Sequence, residues 1–385
     1  MRKGQVIIFF SVFLSIYGLV NYYIFIRGFQ GLEYHSEWRL SYALIFLFVA
    51  NSYFVGRFLE KRYLSVLSDV FMWIGSFWFA FILYFLLSVI AIDIARLLNI
   101  AFGFLPVAGS QEWASLKFFV FVATVILTFL IVFVAYLNAK NIRVKRLDLA
   151  INKSNAFASE LTIAVASDIH LGTIINRRGT KRIVEILNSL NADIVLLPGD
   201  IVDGDVEPVI KQNLGEVLRT IKSKYGIFGI TGNHEYIGGV EPAVKYISDH
   251  GIRVLRDERI EVAGLTIIGR EDRSATGFAG KKRKSIEELA EGVDRAKPII
   301  LMDHQPFKLD EAVSIGTDLQ LSGHTHHGQL WPLNFITNKV YELSWGYLKK
   351  GNTHIYVSCG AGSWGPPTRL GNTPEIMLIR LRFTA

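Results

Sequence analysis

Residues 161–170, LTIAVASDIH, decide the fold of the second half of the chain. The first six residues form an apolar run of strand length, and the run leads almost directly into Asp168 and His170. Similar polar blocks, most of them directly after an apolar run, recur downstream at Gly199-Asp200-Ile-Val-Asp203, Gly232-Asn233-His234-Glu235, Met302-Asp-His304 and Gly323-His324-Thr-His326. An α/β fold brings the ends of its strands to one edge of a sheet, so these side chains are expected to meet there.

Strand-length and helix-length segments alternate from Leu161 onward. Apolar runs predict strands at Leu161–Ala166, Asp193–Leu197, Gly226–Thr231, Pro298–Met302, Asp318–Leu321, His354–Ser358 and Glu375–Phe383, with a hairpin of Leu255–Val262 and Leu265–Gly269. Helical periodicity predicts helices at Arg177–Leu190, Val209–Ser223, Val240–His250 and Ser285–Ala290. The alternation indicates an α/β sandwich of mixed sheets over residues 161–385.

Four long apolar segments precede residue 140. The uncharged runs lie at about 6–26, 40–56, 70–92 and 118–139. A helix needs roughly 17–25 such residues to cross a hydrocarbon core of about 30 Å. We therefore predict a membrane domain of four transmembrane helices at residues 1–139, a linker at 140–160 and a soluble domain from 161. No acidic residue or histidine lies within the runs, which favours an anchor over an ion pathway.

Lysine and arginine are distributed unevenly around these four segments. The flanks on one side carry nine, those on the other carry four, and the richer side is normally cytoplasmic. Both termini and the soluble domain are therefore expected in the cytoplasm. The net charge of +7 fits basic flanks on membrane helices, so no nucleic-acid partner is expected. The sequence predicts no particular protein partner. The single cysteine, Cys359, excludes an internal disulfide and a cysteine-based zinc site.

The polar blocks supply nitrogen and oxygen ligands without a thiolate. The candidate metal ligands are Asp168, His170, Asp200, Asn233, His304, His324 and His326. Such a set suits two divalent cations, Mn, Fe, Zn or Mg, which together can clamp a phosphate and activate water. Each aspartate alone could cap a helix, and each histidine alone could be a core residue. Those alternatives do not account for the set as a whole.

The order D-x-H, G-D-x-x-D, G-N-H-E, H and G-H-T-H resembles the calcineurin-like metallophosphoesterase family over roughly residues 160–385. The later Gly328-Gln329, Gly360-Ala-Gly362 and Pro366-Pro-Thr-Arg369 resemble its membrane-associated bacterial branch, which usually has a glycine where this chain has His327. The resemblance implies a four-layer α/β/β/α sandwich with two divalent metal ions, manganese first among them. It also implies an integral protein of a bacterial inner membrane.

The resemblance further implies a role for each site residue. Asp168, His170 and His326 would hold the first metal, Asn233, His304 and His324 the second, and Asp200 would bridge both. His234 would meet the phosphate or the leaving oxygen as an acid or charge stabiliser, while a metal-bridging hydroxide would attack phosphorus. Asp203 and Glu235 are expected to support the ligands from behind. Arg369 and His327 are the candidate substrate-binding residues.

The expected protein is therefore a membrane-anchored phosphoesterase. A tethered active site raises the effective concentration of membrane-borne substrates. This favours a lipid-linked phosphodiester, pyrophosphate or phosphomonoester as the partner, besides the lipid bilayer itself. Two alternatives stay open: a hydrolase of a soluble nucleotide or cyclic nucleotide, and a membrane regulator that binds metal without turnover.

Overall fold

The computed structural model describes residues 3–33, 35–155 and 157–384, with the backbone alone at residues 3–7, 9 and 10. The chain divides into two compact units. The first comprises the residues up to Leu137 together with Gly365–Thr368. The second comprises Asn138–Trp364 and the residues from Arg369 onward.

Four long helices form most of the first unit. They are α1 (Lys3–Gly31), α2 (Arg39–Arg62), α3 (Val66–Phe102) and α4 (Gln111–Ala139), and each contains a stretch long and apolar enough to cross a membrane. Many of their large hydrophobic side chains are exposed, as lipid-facing side chains would be. Helix α3 differs most from its predicted span, because it continues through Asp93 and Arg96 to Phe102. The predicted run 70–92 holds no acidic residue, but the helix extends beyond it and so includes Asp69 and Asp93.

Small residues let helices α2 and α3 pack closely. A Cβ atom on Gly75 would lie 2.2 Å from the backbone nitrogen of Tyr53, and one on Gly56 would lie 2.8 Å from the backbone nitrogen of Met72. Such close approach is how membrane helices associate where burial of apolar area offers little driving force.

Two six-stranded sheets form the centre of the second unit. The strands are β1 (Arg143–Ile151), β2 (Glu160–Val165), β3 (Ile194–Pro198), β4 (Ile227–Ile230), β5 (Arg253–Val254), β6 (Glu258–Val262), β7 (Leu265–Gly269), β8 (Ile299–Met302), β9 (Leu319–Ser322), β10 (Gly346–Lys350), β11 (Thr353–Val357) and β12 (Glu375–Phe383). One sheet has the order β1-β12-β2-β3-β4-β5 and the other β10-β11-β9-β8-β7-β6. Strands β2, β3 and β4 are parallel, as are β7, β8 and β9.

Shorter helices cover the outer faces of both sheets. They are α5 (Arg177–Ser189), α6 (Glu207–Lys211), α7 (Leu214–Leu218), α8 (Asn233–Gly238), α9 (Val240–Asp249), α10 (Ile286–Ala290), α11 (Asp310–Ser314) and α12 (Asn334–Val340). One apolar core lies between the sheets and includes Leu196 and Ile300. Two more lie between each sheet and its helices, with Val195 in one and Leu301 in the other. These layers confirm the four-layer α/β/β/α sandwich.

Two elements differ from the sequence-based expectation. The expected linker at 140–160 contains strand β1, which pairs in parallel with β12 from Arg143 opposite Glu375 to Ile151 opposite Phe383. The charged composition of β1 hides an alternation that buries Leu149 and Ile151. The expected helix at 209–223 is broken into α6 and α7, because Asn213 between them adopts a left-handed φ of 54°.

Candidate metal centre

Strand ends place the candidate ligands at one edge of the sandwich. Asp168 follows β2, Asp200 follows β3, Asn233 follows β4, His304 follows β8, and His324 follows β9. The edge is the one that sequence reasoning expected, where parallel strands present their carboxyl ends. Most ligands lie within two or three residues of a strand end, so the rigid sheets fix their positions.

The backbone at the candidate ligands is strained. Left-handed φ values occur at Asp168 (52°), His170 (54°), Asp200 (52°), His324 (73°) and His326 (46°). For residues other than glycine such conformations cost about 1–3 kcal/mol, and they persist where the surrounding structure enforces them. The strain is concentrated at the residues that would bind metal, which indicates a functional constraint on this loop cluster.

Glycines allow the strand ends to approach one another around the aspartates. A Cβ atom on Gly232 would lie 2.1 Å from Asp200 Oδ1, and one on Gly323 would lie 2.1 Å from Asp168 Oδ2. Larger residues at either position would displace a candidate ligand. The glycines of the G-N-H-E and G-H-T-H blocks therefore have a steric role.

The first group of ligands consists of Asp168, His170 and His326. The Nε2 atoms of His170 and His326 face each other at 2.9 Å, and His326 Nε2 lies 3.4 Å from Asp168 Oδ1. Asp168 Oδ2 is buried and has no hydrogen-bond partner among the described residues. Converging nitrogens beside an unsatisfied buried carboxylate oxygen fit a divalent cation.

The second group consists of Asn233, His304 and His324. Asn233 Oδ1 lies 2.7 Å from His324 Nδ1 and 3.3 Å from His304 Nε2. His304 Nδ1 lies 2.8 Å from the carbonyl oxygen of Pro198 and can donate to it. That hydrogen bond leaves Nε2 of His304 with a free lone pair, which is the arrangement typical of metal-binding histidines.

Asp200 lies between the two groups. Its Oδ2 atom is 3.1 Å from His304 Nε2 in the second group and 3.9 Å from His170 Nε2 in the first. Its Oδ1 atom accepts a hydrogen bond from the backbone nitrogen of His234. The carboxylate is therefore placed as a bridging ligand would be. All seven candidates converge on one centre, and their roles as ligands stay a prediction.

Burial and mutual charge set the protonation of the metal-free centre. Burial opposes ionisation of Asp200, but the nearby His304 and His234 charges outweigh it and hold its pKa well below the usual range. Burial lowers the pKa of His324 to about 3, and burial with the charges of His170 and Arg369 holds the pKa of His326 well below its usual range. Neutral imidazoles next to an ionised carboxylate are the forms that bind metal.

His234 is placed at the edge of the centre with a different electrostatic character. Its Nδ1 lies 2.9 Å from Asp203 Oδ1, and its ring lies 6.2 Å from that of the exposed Trp364. Burial would lower the pKa of His234, but the charges of Asp200 and Asp203 raise it to about 9. In the metal-free centre the His234 ring is therefore positively charged at neutral pH.

Asp203 and Glu235 lie next to the candidate ligands, and their supporting role stays a prediction. Asp203 Oδ1 also lies 3.5 Å from His170 Nδ1, close enough for its charge to act on both histidines. The Glu235 carboxylate is fully buried and accepts hydrogen bonds from the backbone nitrogens of Asp200, Val202 and Gly232. Burial and the charge of Asp200 raise the pKa of Glu235 to about 7.

The structure corrects one of the two candidate substrate contacts, Arg369, whereas His327 stays a prediction. Arg369 is fully buried, donates to Gly362 O and Asn372 Oδ1, and lies 3.0 Å from His326 Nδ1, so it positions a ligand and does not reach substrate. His327 is half-buried, and its Nδ1 lies 3.1 Å from Ser344 Oγ. His327 has a φ of 47°, and this left-handed value explains why glycine suits the position.

Sequence reasoning missed the role of Asn372. Its side-chain amide donates to the carbonyl oxygens of His326 and His327, and its Oδ1 accepts from Arg369. No local signal identifies it, because Asn372 lies in a glycine-containing loop that reads as an ordinary turn.

Comparison with known proteins agrees with this geometry. The calcineurin-like phosphoesterase family matches residues 161–328. An uncharacterised metallophosphoesterase of Helicobacter pylori is 36% identical over 58% of this chain, and the match spans 60% of that relative's length. One of Campylobacter jejuni is 27% identical over 98% of both chains. A transmembrane protein with metallophosphoesterase domain from Danio rerio is 30% identical over 90% of this chain and 80% of its own length.

The match to the Campylobacter jejuni relative covers 98% of this chain and so includes the four apolar helices, and the match to the Danio rerio relative, at 90%, includes most of that helical region. The membrane-associated branch therefore includes an animal relative as well as bacterial ones. From the ordered motifs, the converging ligands and these matches, the chain belongs to the calcineurin-like metallophosphoesterase family.

Proposed function

We propose that this chain is a membrane-anchored phosphoesterase that uses two divalent cations to hydrolyse a lipid-linked phosphoester. The observation that carries the proposal is the convergence of seven candidate ligands on one centre, in which the buried carboxylate of Asp200 faces both groups. When bound, two divalent cations supply Lewis acidity and lower the pKa of water. Oxygen and imidazole ligands with no thiolate suit Mn, Fe, Zn or Mg, and manganese comes first because the family resemblance implies it.

The chain's own residues would supply orientation and a proton. His234 is cationic because Asp200 and Asp203 face it, so it can stabilise a phosphate oxygen and give its proton to the leaving oxygen. Asp203 orients the ring of His234 at 2.9 Å, and its charge also faces His170 Nδ1 at 3.5 Å. No nucleophilic side chain is required for this chemistry.

Exposed aromatic and aliphatic side chains around the centre support a lipid-linked substrate. Trp364 lies beside His234 and is 55% exposed. Trp331, Phe335 and Ile336 follow the last ligand block and are similarly exposed. An apolar rim beside a charged centre suits a substrate with an acyl or prenyl chain next to its phosphate. We place the domain in the cytoplasm, as the lysine and arginine count indicates.

The test is hydrolysis by the full-length protein in detergent micelles. With Mn²⁺ we expect turnover of a chromogenic phosphodiester or monoester, and loss of turnover in Asp200→Asn and His234→Ala. The matched controls are Asp249→Asn and His35→Ala, whose side chains are exposed and lie outside the centre. Turnover that survives Asp200→Asn would overturn the two-metal assignment.

A second comparison separates the substrate classes. Lipid-linked pyrophosphates and phosphodiesters in mixed micelles are compared with soluble nucleotides and cyclic nucleotides. Higher kcat/KM on the lipid-linked class supports the proposal, and higher kcat/KM on nucleotides would reject lipid linkage. Stoichiometric binding of two metals with no turnover of either class would favour a regulator that binds metal.

A further inference from the structure

The helices of the first unit enclose a cavity of about 410 Å³. All four contribute to a wall that is mostly aliphatic and aromatic, with Phe46, Trp78 and Phe121 among the lining side chains. Ligand pockets typically have volumes of roughly 300–1,000 Å³. An apolar cavity of this size forfeits dispersion contacts unless an apolar group occupies it. The wall therefore favours an apolar chain as occupant.

Charged side chains gather at one end of this cavity, where α1 and α3 end and α4 begins. The charged lining residues are Arg27, Asp93, Arg96 and Lys117. Asp93 lies 2.6 Å from Arg27 and 3.4 Å from Arg96, while Lys117 pairs with Glu33. Three basic groups against two acidic ones leave a positive surplus. Arg27 Nε is also buried without a hydrogen-bond partner among the described residues.

The charged end lies at the level of the membrane surface. Arg27, Asp93 and Lys117 are each the first charged residue beyond the uncharged run of their helix. From Lys117 the lining continues along α4 to Phe129, which is about 18 Å at 1.5 Å per residue. Half of a hydrocarbon core of roughly 30 Å is about 15 Å. The cavity thus reaches from headgroup level to the depth of one leaflet.

We propose that this cavity binds one anionic phospholipid of the bilayer. One acyl chain lies along α4, and the phosphate lies between Arg27, Arg96 and Lys117, where it balances the surplus positive charge. An anionic headgroup is preferred because a zwitterionic one would bring a second cation toward the two arginines. The site is distinct in residues and chemistry from the metal centre, and its occupancy does not depend on hydrolysis.

The experiment uses the full-length protein in nanodiscs of equal parts phosphatidylglycerol and phosphatidylcholine. Lipid that stays bound after extraction into mild detergent is quantified by mass spectrometry, and phosphatidylglycerol affinity is measured by thermal shift on the delipidated protein. We expect about one retained phosphatidylglycerol per chain, enriched over phosphatidylcholine. Equal retention of both lipids by the wild-type protein would overturn the proposal without any variant.

Two matched pairs of variants locate the site. Ala95→Phe fills the cavity, whereas Ala91→Phe makes the same change on an exposed face of α3 that does not line it. Arg96→Gln removes one basic group while Arg27 still pairs with Asp93, and Arg62→Gln is its control in the exposed last turn of α2. All four should keep monodisperse elution and a single unfolding transition.

The expected losses differ between the pairs. Ala95→Phe should abolish retention, and Arg96→Gln should weaken phosphatidylglycerol binding about fivefold, since a basic residue near the membrane surface contributes roughly 1 kcal/mol. Ala91→Phe and Arg62→Gln should bind as the wild type does. If Ala95→Phe and Ala91→Phe retain the same amount of lipid, the cavity is not the binding site.

Discussion

The substitution Asp203→Asn most directly tests whether residues behind the candidate ligands contribute to metal binding and turnover. One oxygen of Asp203 lies 2.9 Å from His234 Nδ1 and 3.5 Å from His170 Nδ1, so the substitution removes a negative charge from two histidines at once. Losing such an outer partner typically costs 10–100-fold in metal affinity or activity. At about 1.36 kcal/mol per tenfold, this is roughly 1.4–2.7 kcal/mol. The isosteric amide keeps the volume, so the fold should be unaffected.

The same substitution has a predicted effect on the pH profile. Asp203 is one of the three carboxylates that raise the pKa of His234, with Asp200 and Glu235, so its neutralisation lowers that pKa. A lower pKa leaves less His234 protonated at a given alkaline pH. The alkaline limb of kcat against pH should therefore move to lower pH in Asp203→Asn.

The assay combines metal affinity, measured by competition with a chelator, and turnover of the chromogenic ester at saturating Mn²⁺. Asp205→Asn is the control, because Asp205 lies in the same loop and accepts only from the backbone nitrogen of Glu207 in the hydrogen bonds that the structure shows. Wild-type metal affinity, turnover and pH profile in Asp203→Asn would refute the reasoning.

Three further predictions concern other parts of the chain. Burial and the charge of Glu375 raise the pKa of the Cys359 thiol, so iodoacetamide at pH 8 should modify Cys359 only after unfolding in guanidinium, as intact-mass measurement will show. Gly75→Leu should lower the unfolding temperature in detergent because its side chain meets the Tyr53 backbone, whereas Gly18→Leu meets no atom within 4 Å and should not. Arg369→Met should lower metal affinity with little change in KM, because it removes the buried guanidinium that contacts His326. The substitution also leaves Gly362 O without its donor, at a cost of about 1–3 kcal/mol. A raised KM with normal metal affinity would instead place Arg369 at the substrate.

Much of the fold was predictable because apolar runs and polar blocks follow each other in a fixed order. The predicted strand Glu375–Phe383 has the bounds of β12, and Leu161–Ala166 differs from β2 by one residue at each end. Buried strands can be predicted from sequence because almost every side chain in them is apolar. Strand β1 was missed because it lies at a sheet edge and carries four charged residues among nine.

The candidate site was predictable to the extent that ligand types are specific. Histidine, aspartate and asparagine within a few residues of strand ends identify the seven candidates, but residue type alone does not show which way a side chain faces. Arg369 illustrates this limit: an arginine suits phosphate binding, yet its neighbours Gly362 O and Asn372 Oδ1 hold it inside the protein. Which neighbours surround a residue depends on tertiary contacts between loops that sequence patterns do not encode.

The end of α3 shows why composition alone underestimated the length of this membrane helix. Counting uncharged residues ends the span before Asp93, but the helix ends only at Gly103, whose φ of 60° forms a left-handed cap. Asp93 and Arg96 are therefore helical residues, and Asp93 is paired with Arg27 of another helix. An anchor needs only apolar length, so paired charges with a positive surplus at the end of an apolar cavity are unnecessary for anchoring. Such charges are costly near hydrocarbon, and recognition of an anionic lipid accounts for their presence.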